Sequence, residues 1–162
     1  DEDGTEREGV FIARRDTNSQ LNHFLGGRIF PGEHHQASFD VSETGSAINL
    51  SLESDDASVS VKLEGAISET LPSNSIFSSL AEASSFFEKG SLGYSVTHDP
   101  KRLDGLKLET DQWKVEPLTI KEIHSSYYSD QKKFPAGSIE FDHALIMRNV
   151  AHEWHSAEDL YI

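Results

Sequence analysis

Alternation of apolar and polar residues with a period of two dominates the middle of the chain. It runs through three segments, at residues 38–41, 47–52 and 58–63. Successive side chains of a strand point to opposite faces, so this alternation predicts strands with one apolar and one solvated face. The connections between the segments are short and rich in turn residues. We therefore predict an antiparallel meander from Ser38 to Leu63.

Two other segments have the spacing of short amphipathic helices. The pairs Thr17–Gln20 and Ser79–Glu82 each have the spacing of a capping box, and a glycine that can end a helix follows each segment. We predict helices over residues 17–25 and 79–89, the second covering one face or edge of the sheet. Its apolar face is formed by Leu80, Ala83 and Phe87.

Short apolar or alternating stretches elsewhere predict further strands. They lie at residues 9–13, 92–97, 106–109 and 118–123, with a last one within 138–147. Turn signals at Asp99-Pro100 and Gly105 separate some of them. The balance predicts a mainly β fold with two short helices, in which a curved antiparallel sheet or barrel is favoured over a βαβ arrangement.

Length and composition predict one globular domain. The 162 residues are 36% hydrophobic and can bury a sizeable core without disulfides or metals. We place an acidic, flexible segment at 1–8 and the domain at 9–162. Apolar runs are far too short to cross a membrane, and the acidic start does not resemble a signal peptide. We therefore expect a cytoplasmic protein, unless an upstream segment has been removed.

Charge and cysteine content exclude some classes of partner and chemistry. With 28 acidic and 14 basic side chains the net charge is -14, which opposes binding to nucleic-acid phosphates. The chain has no cysteine, so disulfides and thiolate catalysis are excluded. The sequence leaves a homo-oligomer open.

A glycine-rich bend at residues 26–35 is the first candidate site. Three glycines and Pro31 let the backbone turn sharply and approach a ligand closely. Adjacent residues of a strand face opposite ways, so at most one of two neighbouring histidines would face a pocket. The arginine could grip a substrate carboxylate or pair with an acidic side chain of the protein. The side chains that would line the pocket are Arg28, Phe30, Glu33, His34 and His35.

Glu140 and Asp142 form the second candidate. On a strand, residues two apart share a face, where a partly buried carboxylate pair could act as acid and base. The alternative is an ordinary solvated strand face. We predict that Glu140 opposes the bend across the pocket.

His152-Glu153-Trp154-His155 suggests a metal site but lacks the usual spacing. Metal-binding helices place histidines at i and i+4, whereas these two are at i and i+3 with no evident third ligand. His143 or His34 could complete a site in space. We expect no metal, with Trp154 packed as a hydrophobic plug.

Four segments resemble an uncharacterised bacterial family related to acetoacetate decarboxylase. They are Gly-Arg-Ile-Phe-Pro at 27–31, Gly-Ser-Leu-Gly-Tyr at 90–94, Val-Glu-Pro-Leu at 115–118 and Phe-Pro-Ala-Gly-Ser-Ile-Glu-Phe-Asp at 134–142. The resemblance covers residues 9 to 155. It implies a cone-like β fold around a pocket, and it implies that family sequence upstream of residue 9 is missing here.

The resemblance does not extend to the decarboxylase's nucleophile. The enzyme carries a lysine pair directly after the proline of the first segment and forms a Schiff base there, whereas Gly32-Glu33 follows Pro31 in this chain. Without that amine the carbonyl cannot become an iminium electron sink, so decarboxylation by the family mechanism is disfavoured.

The sequence thus predicts a protein that binds a small carboxylated or carbonyl-containing molecule without a cofactor. One alternative is a lyase or isomerase that acts on a keto or enol substrate through acid/base chemistry of Glu33, His34, His35 and Glu140. Another is a structural or assembly module, in which the bend serves only to turn the chain.

Overall fold

The computed structural model describes residues 9–19 and 32–162 and is mainly β, with 48% of these residues in strands and 7% in a helix. The elements are β1 (Val10–Ile12), β2 (Asp16–Thr17), β3 (His35–Thr44), β4 (Ala47–Ser54), β5 (Ser60–Ile67), α1 (Leu80–Lys89), β6 (Leu92–Val96), β7 (Arg102–Thr110), β8 (Glu116–Ser125), β9 (Ala144–Ile146) and β10 (His152–Tyr161).

The strands form two sheets. One has the order β1-β6-β7-β10 and the other β2-β3-β4-β5-β8-β9. The predicted meander is confirmed, because β3, β4 and β5 pair antiparallel in sequence order. Two edge pairs differ from the expected antiparallel arrangement, since β1 pairs parallel with β6 and β2 with β3. In both pairs a short strand of the N-terminal segment adds to an edge, which local alternation does not reveal.

Contacts divide the chain into two compact units. Among the described residues, the first unit holds 9–19, 32–36, 85–113 and 149–162, and the second holds 37–84 and 114–148. The chain therefore passes between the units four times. Such interleaving is compatible with a single domain over 9–162, which stays a prediction, while the segment 1–8 lies outside the described residues.

In the second unit, the register places the apolar positions of neighbouring strands opposite one another. Phe39, Leu52 and Val61 form one cross-strand row, and Val41, Leu50, Leu63 and Ile123 form the next. A register shift in β8 then places Ile120 and Leu118 opposite Gly65 and Ile67, on the same side of the sheet. We call this surface the apolar face. Its members are Phe39, Val41, Ile48, Leu50, Leu52, Val61, Leu63, Leu118, Ile120 and Ile123.

This sheet is strongly curled. Arg148, which follows β9, forms ion pairs with both Glu43 of β3 and Glu116 of β8, the latter at 3.0 Å. In a flat sheet these two glutamates would lie about 19 Å apart, given strand spacing and rise. Alternation puts both on the apolar side. The shared arginine therefore requires the sheet to curl toward its apolar face.

The helix predicted at 79–89 is confirmed as α1, and its ends follow the capping rules. Ser79 Oγ accepts the N–H of Glu82 at 3.1 Å, and α1 ends at Lys89, directly before Gly90. The Glu82 carboxylate accepts hydrogen bonds from Ser78 rather than closing the predicted box with Ser79. No helix in the ranges 9–19 and 32–162 is long and apolar enough to cross a membrane.

The other helix predictions have mixed outcomes. Within α1, Ala83 is fully buried, but Phe87 of the predicted apolar face is 45% exposed. At the other predicted helix, Thr17 belongs to β2 and its Oγ1 accepts the N–H of Ser19. Residues 20–25 of that helix lie outside the described residues.

The prediction for the end of the chain is wrong in part. Within 138–147 only Ala144–Ile146 forms a strand, and the last strand is β10, which pairs with β7. The alternation that would have predicted β10 is broken by a register shift between Ala157 and Leu160. An extra residue in one strand moves the following side chains to the other face, so the sequence period is lost.

Candidate functional site

The structure describes only some of the predicted ligand-binding residues. Arg28 and Phe30 lie outside the described residues. Glu33 lies in the first unit, where its Oε1 is 2.8 Å from Nδ1 of His98. Glu140 lies in the second unit and is exposed. The idea that Glu140 and Asp142 share a strand face is wrong, because residues 138–143 form no strand.

The two neighbouring histidines stand at the start of β3 and are half-buried. His35 is the first residue of that strand, and its N–H donates to the carbonyl oxygen of Arg15 at 2.8 Å. His34 precedes the strand, and its Nδ1 hydrogen-bonds the carbonyl oxygen of Gly32 at 3.2 Å. Both side chains thus lie where the chain enters the sheet.

Gly32 has a packing role within the first unit. Its φ of +75° lies in the region that favours glycine, and its N–H donates to Oδ2 of Asp104 at 2.7 Å. A Cβ at this position would lie 2.4 Å from Oγ of Ser95, a fully buried residue. Asp104 is itself buried and paired with Arg102 at 3.1 Å. The need for glycine here therefore comes from the protein's own interior.

The second unit contains a cavity of about 470 Å³, which we call the loop cavity. This volume lies in the range typical of small-molecule sites, roughly 300–1,000 Å³. Two loops, before α1 and before β9, bound it together with β8. Its apolar lining residues are Leu71, Pro72, Leu118, Ile120 and Phe141, and its polar lining residues are Thr70, Asn74, Thr119, Asp142 and His143.

Asp142 joins the two loops that bound the cavity. Its Oδ2 accepts a hydrogen bond from Ser75 Oγ at 2.8 Å, and its Oδ1 accepts the N–H of Ile76 at 3.0 Å. It also accepts a hydrogen bond from Nδ1 of His143. The edge of the His143 ring lies against Phe77, with ring centroids 5.5 Å apart. One carboxylate therefore holds the loop before α1 against the loop before β9.

The hydrogen bonds at Asp142 decide its charge state. Desolvation alone would raise the pKa of this carboxyl, but the donors from His143, Ser75 and the Ile76 backbone together lower it. Asp142 is therefore a stable anion rather than a proton donor. The His143 side chain is 3% exposed, so a molecule in the cavity has little access to its imidazole.

The first unit has a second, more polar cavity of about 310 Å³ around the His-Glu-Trp-His motif. Its lining residues are Glu109, Thr110, Asp111, Ala151, His152, Glu153 and His155. The motif lies on β10, where residues three apart face opposite sides, so its two histidines do not converge. In the described ranges, no group of three or more histidines and carboxylates could hold a metal ion.

Trp154 is not the buried plug that we expected. It is 51% exposed, and the Arg15 guanidinium lies 5.6 Å from its ring centroid, a cation–π geometry. Burial lowers the pKa of Arg15 below its ordinary value. The aromatic ring thus covers a partly desolvated cation instead of filling a core.

Sequence reasoning missed the wall of the loop cavity. Pro72-Ser73-Asn74 has the composition of a turn, and the Ser75 N–H does close one on the Pro72 carbonyl at 3.0 Å. A turn signal does not reveal which strand lies beside it. Asp142 was a candidate by sequence, but as an acid/base group rather than as a tie between loops.

No family model, no curated protein and no solved structure matches this chain. The resemblance to the acetoacetate decarboxylase-like family therefore stays a prediction that depends on the sequence motifs.

Proposed function

We propose that the protein binds a small carbonyl-containing molecule in the loop cavity. The observation that supports this best is the lining itself, in which five apolar and five polar residues line about 470 Å³. Such a mixture is typical of sites where apolar contact supplies affinity and a few polar groups fix orientation. The Asn74 amide and the Thr70 hydroxyl are the donors suited to a carbonyl oxygen.

The charges of the cavity favour a neutral ligand over a carboxylate. Among the residues that the structure describes, its lining includes no lysine or arginine, and it does include the anion Asp142. Burying a carboxylate without a cationic partner costs several kcal/mol. Of the two ligand types that the sequence suggests, the carbonyl compound is therefore the better match for this cavity. The predicted site at Arg28 and Phe30 stays a separate prediction.

Binding is favoured over acid/base catalysis at the same place. A general base has to reach the proton that it removes, to within about 3 Å. His143 is nearly inaccessible, and three donors already occupy the Asp142 carboxylate. The pair therefore supports the cavity wall, and we infer a positioning role for both residues.

The experiment is a titration of the purified protein with 2-butanone and 2-pentanone, followed by calorimetry and by thermal unfolding. At a ketone concentration of 100 times Kd, binding should add about 2.7 kcal/mol to the free energy of unfolding. Butyrate, of similar size but charged, should bind much more weakly.

Asn74→Leu should weaken ketone binding at least tenfold, because it removes the amide donor but keeps the volume. Asn49→Leu is the matched control, since Asn49 is exposed on β4 and lies outside the cavity. Equal binding by parent and Asn74→Leu, or the absence of ketone binding to the parent, would refute the proposal.

A further inference from the structure

The apolar face of the second unit is not covered to the degree usual for a sheet. Val41 is 61%, Ile123 41% and Phe39 40% exposed, and Leu50 and Leu63 are only half-buried. The opposite face is polar, with cross-strand sets such as Asp40, Ser51 and Lys62. A sheet with one polar and one apolar side normally buries the apolar side against a second layer. Ile48 and Leu118 of this face are buried, but within the described ranges no second layer buries Val41, Ile123 and Phe39.

The apolar face continues into the loop cavity. Leu118 and Ile120 belong to both, since they line the cavity and the register places them on that face. From β8 the apolar rows cross β5 and β4 to β3, a distance of about 14 Å at normal strand spacing. The Glu43–Arg148–Glu116 ion pairs lie on the same side of the curled sheet. The apolar face is therefore curved, and the loop cavity lies at one end of it.

The size of the apolar face favours a small molecule over a protein partner. Only Phe39, Val41 and Ile123 of the apolar face are exposed, and its other side chains are half-buried or buried. The open apolar area is therefore no larger than the patches found on many monomers. In a standard protein interface each partner buries about 800 Å². The shared residues Leu118 and Ile120 also favour a small molecule, because one end of it can enter the open loop cavity of about 470 Å³ while the rest contacts the apolar face.

We propose that the ligand is amphipathic, with a neutral carbonyl end in the loop cavity and an unbranched alkyl chain along the apolar face toward Val41 and Phe39. This inference rests on the proposed function and adds the class of molecule to it. The polar end meets Asn74 and Thr70, and the chain contacts the rows that lead from Ile120 to β3. Alternating strands supply one continuous hydrocarbon surface for such a chain.

The test measures affinity across 2-alkanones from 2-pentanone to 2-tridecanone. Each buried methylene should lower Kd by up to about fourfold, until the alkyl chain extends beyond the apolar face. Val41→Ser should remove the gain for the longest members and leave 2-pentanone unchanged. Ile162→Ser is the matched control, because Ile162 is 70% exposed but lies in the first unit.

The outcomes separate this inference from the proposed function. If short ketones bind and Asn74→Leu weakens them, but affinity does not rise with chain length, the alkyl-chain inference is wrong and the proposed function stands. If long alkanes bind as well as long ketones and Asn74→Leu has no effect on binding, the claim that a carbonyl group binds in the loop cavity is wrong. Sedimentation showing a dimer that Val41→Ser dissociates, without a chain-length effect, would assign the face to a second copy and overturn the inference.

Discussion

At the scale of single residues, Gly32 shows why the N-terminal bend needs a glycine. A side chain there would meet Ser95 Oγ at 2.4 Å and Ser95 Cβ at 2.8 Å, and φ is +75°. From the sequence, the glycines of the bend are expected to allow close approach of a ligand, and of these glycines the structure describes only Gly32. The physical cause at Gly32 is instead the buried Ser95 and the Asp104 carboxylate, which lie far along the chain and leave no local signal.

We predict that Gly32→Ala lowers the free energy of unfolding by about 2–4 kcal/mol, measured by urea denaturation. Positive φ costs an alanine about 1 kcal/mol, and overpacking against Ser95 adds about 1–3 kcal/mol. Gly45→Ala is the matched control, because Gly45 has φ +63° with nothing within 4 Å of an added Cβ. Its loss should be about 1 kcal/mol. Equal losses in the two variants would show that Ser95 does not constrain the bend.

At the scale of elements, the predictions from periodicity were the most accurate. The meander β3–β5 and helix α1 were predicted because alternation and capping are local properties of the sequence. The parallel edge pairs and β10 were not, since long-range pairing and a register shift decide them. The loop cavity depends on the same non-local information. Asp142 ties together segments that are more than sixty residues apart, and nothing local to Glu140 or Asp142 indicates this.

We predict that Asp142→Asn destabilises the protein most at neutral pH. The folded-state pKa of Asp142 is lowered, so the carboxylate contributes stability above the ordinary carboxyl pKa, and this contribution is lost as pH falls through the lowered value. The difference in unfolding free energy between parent and variant should therefore shrink below about pH 4. Urea titrations from pH 7 to pH 3 measure it.

The exposed Asp40 of β3 supplies the control for this titration, since Asp40→Asn should change stability little at any of these pH values. A difference between parent and Asp142→Asn that stays constant with pH would mean that the tie between the loops does not depend on the ionised carboxyl.

At the scale of the whole molecule, the mainly β character follows from the sequence, but its division into two sheets and two interleaved units does not. The alternating segments specify which side chains share a face. They do not specify how much of that face is covered, because burial depends on distant segments. The exposed apolar face and the loop cavity are therefore consequences of the assembled unit. The site that the sequence motifs predict at the bend stays a prediction, because Arg28 and Phe30 lie outside the described residues.

The lysines give a final test at this scale, through reductive trapping with borohydride. A Schiff-base lysine needs desolvation or a cationic neighbour to be a nucleophile at neutral pH. Every lysine of the chain is exposed, and none lines either cavity. Lys62, between Glu64 and Glu122, even has a raised pKa, because both carboxylates accept hydrogen bonds from its ammonium. We therefore expect neither acetoacetate nor 2-butanone to leave a stoichiometric adduct, as measured by intact mass.

Leu71→Lys is the positive control, since an amine in the loop cavity should trap 2-butanone at that residue. A stoichiometric adduct on a single lysine of the parent would show that the chain retains an imine-forming site.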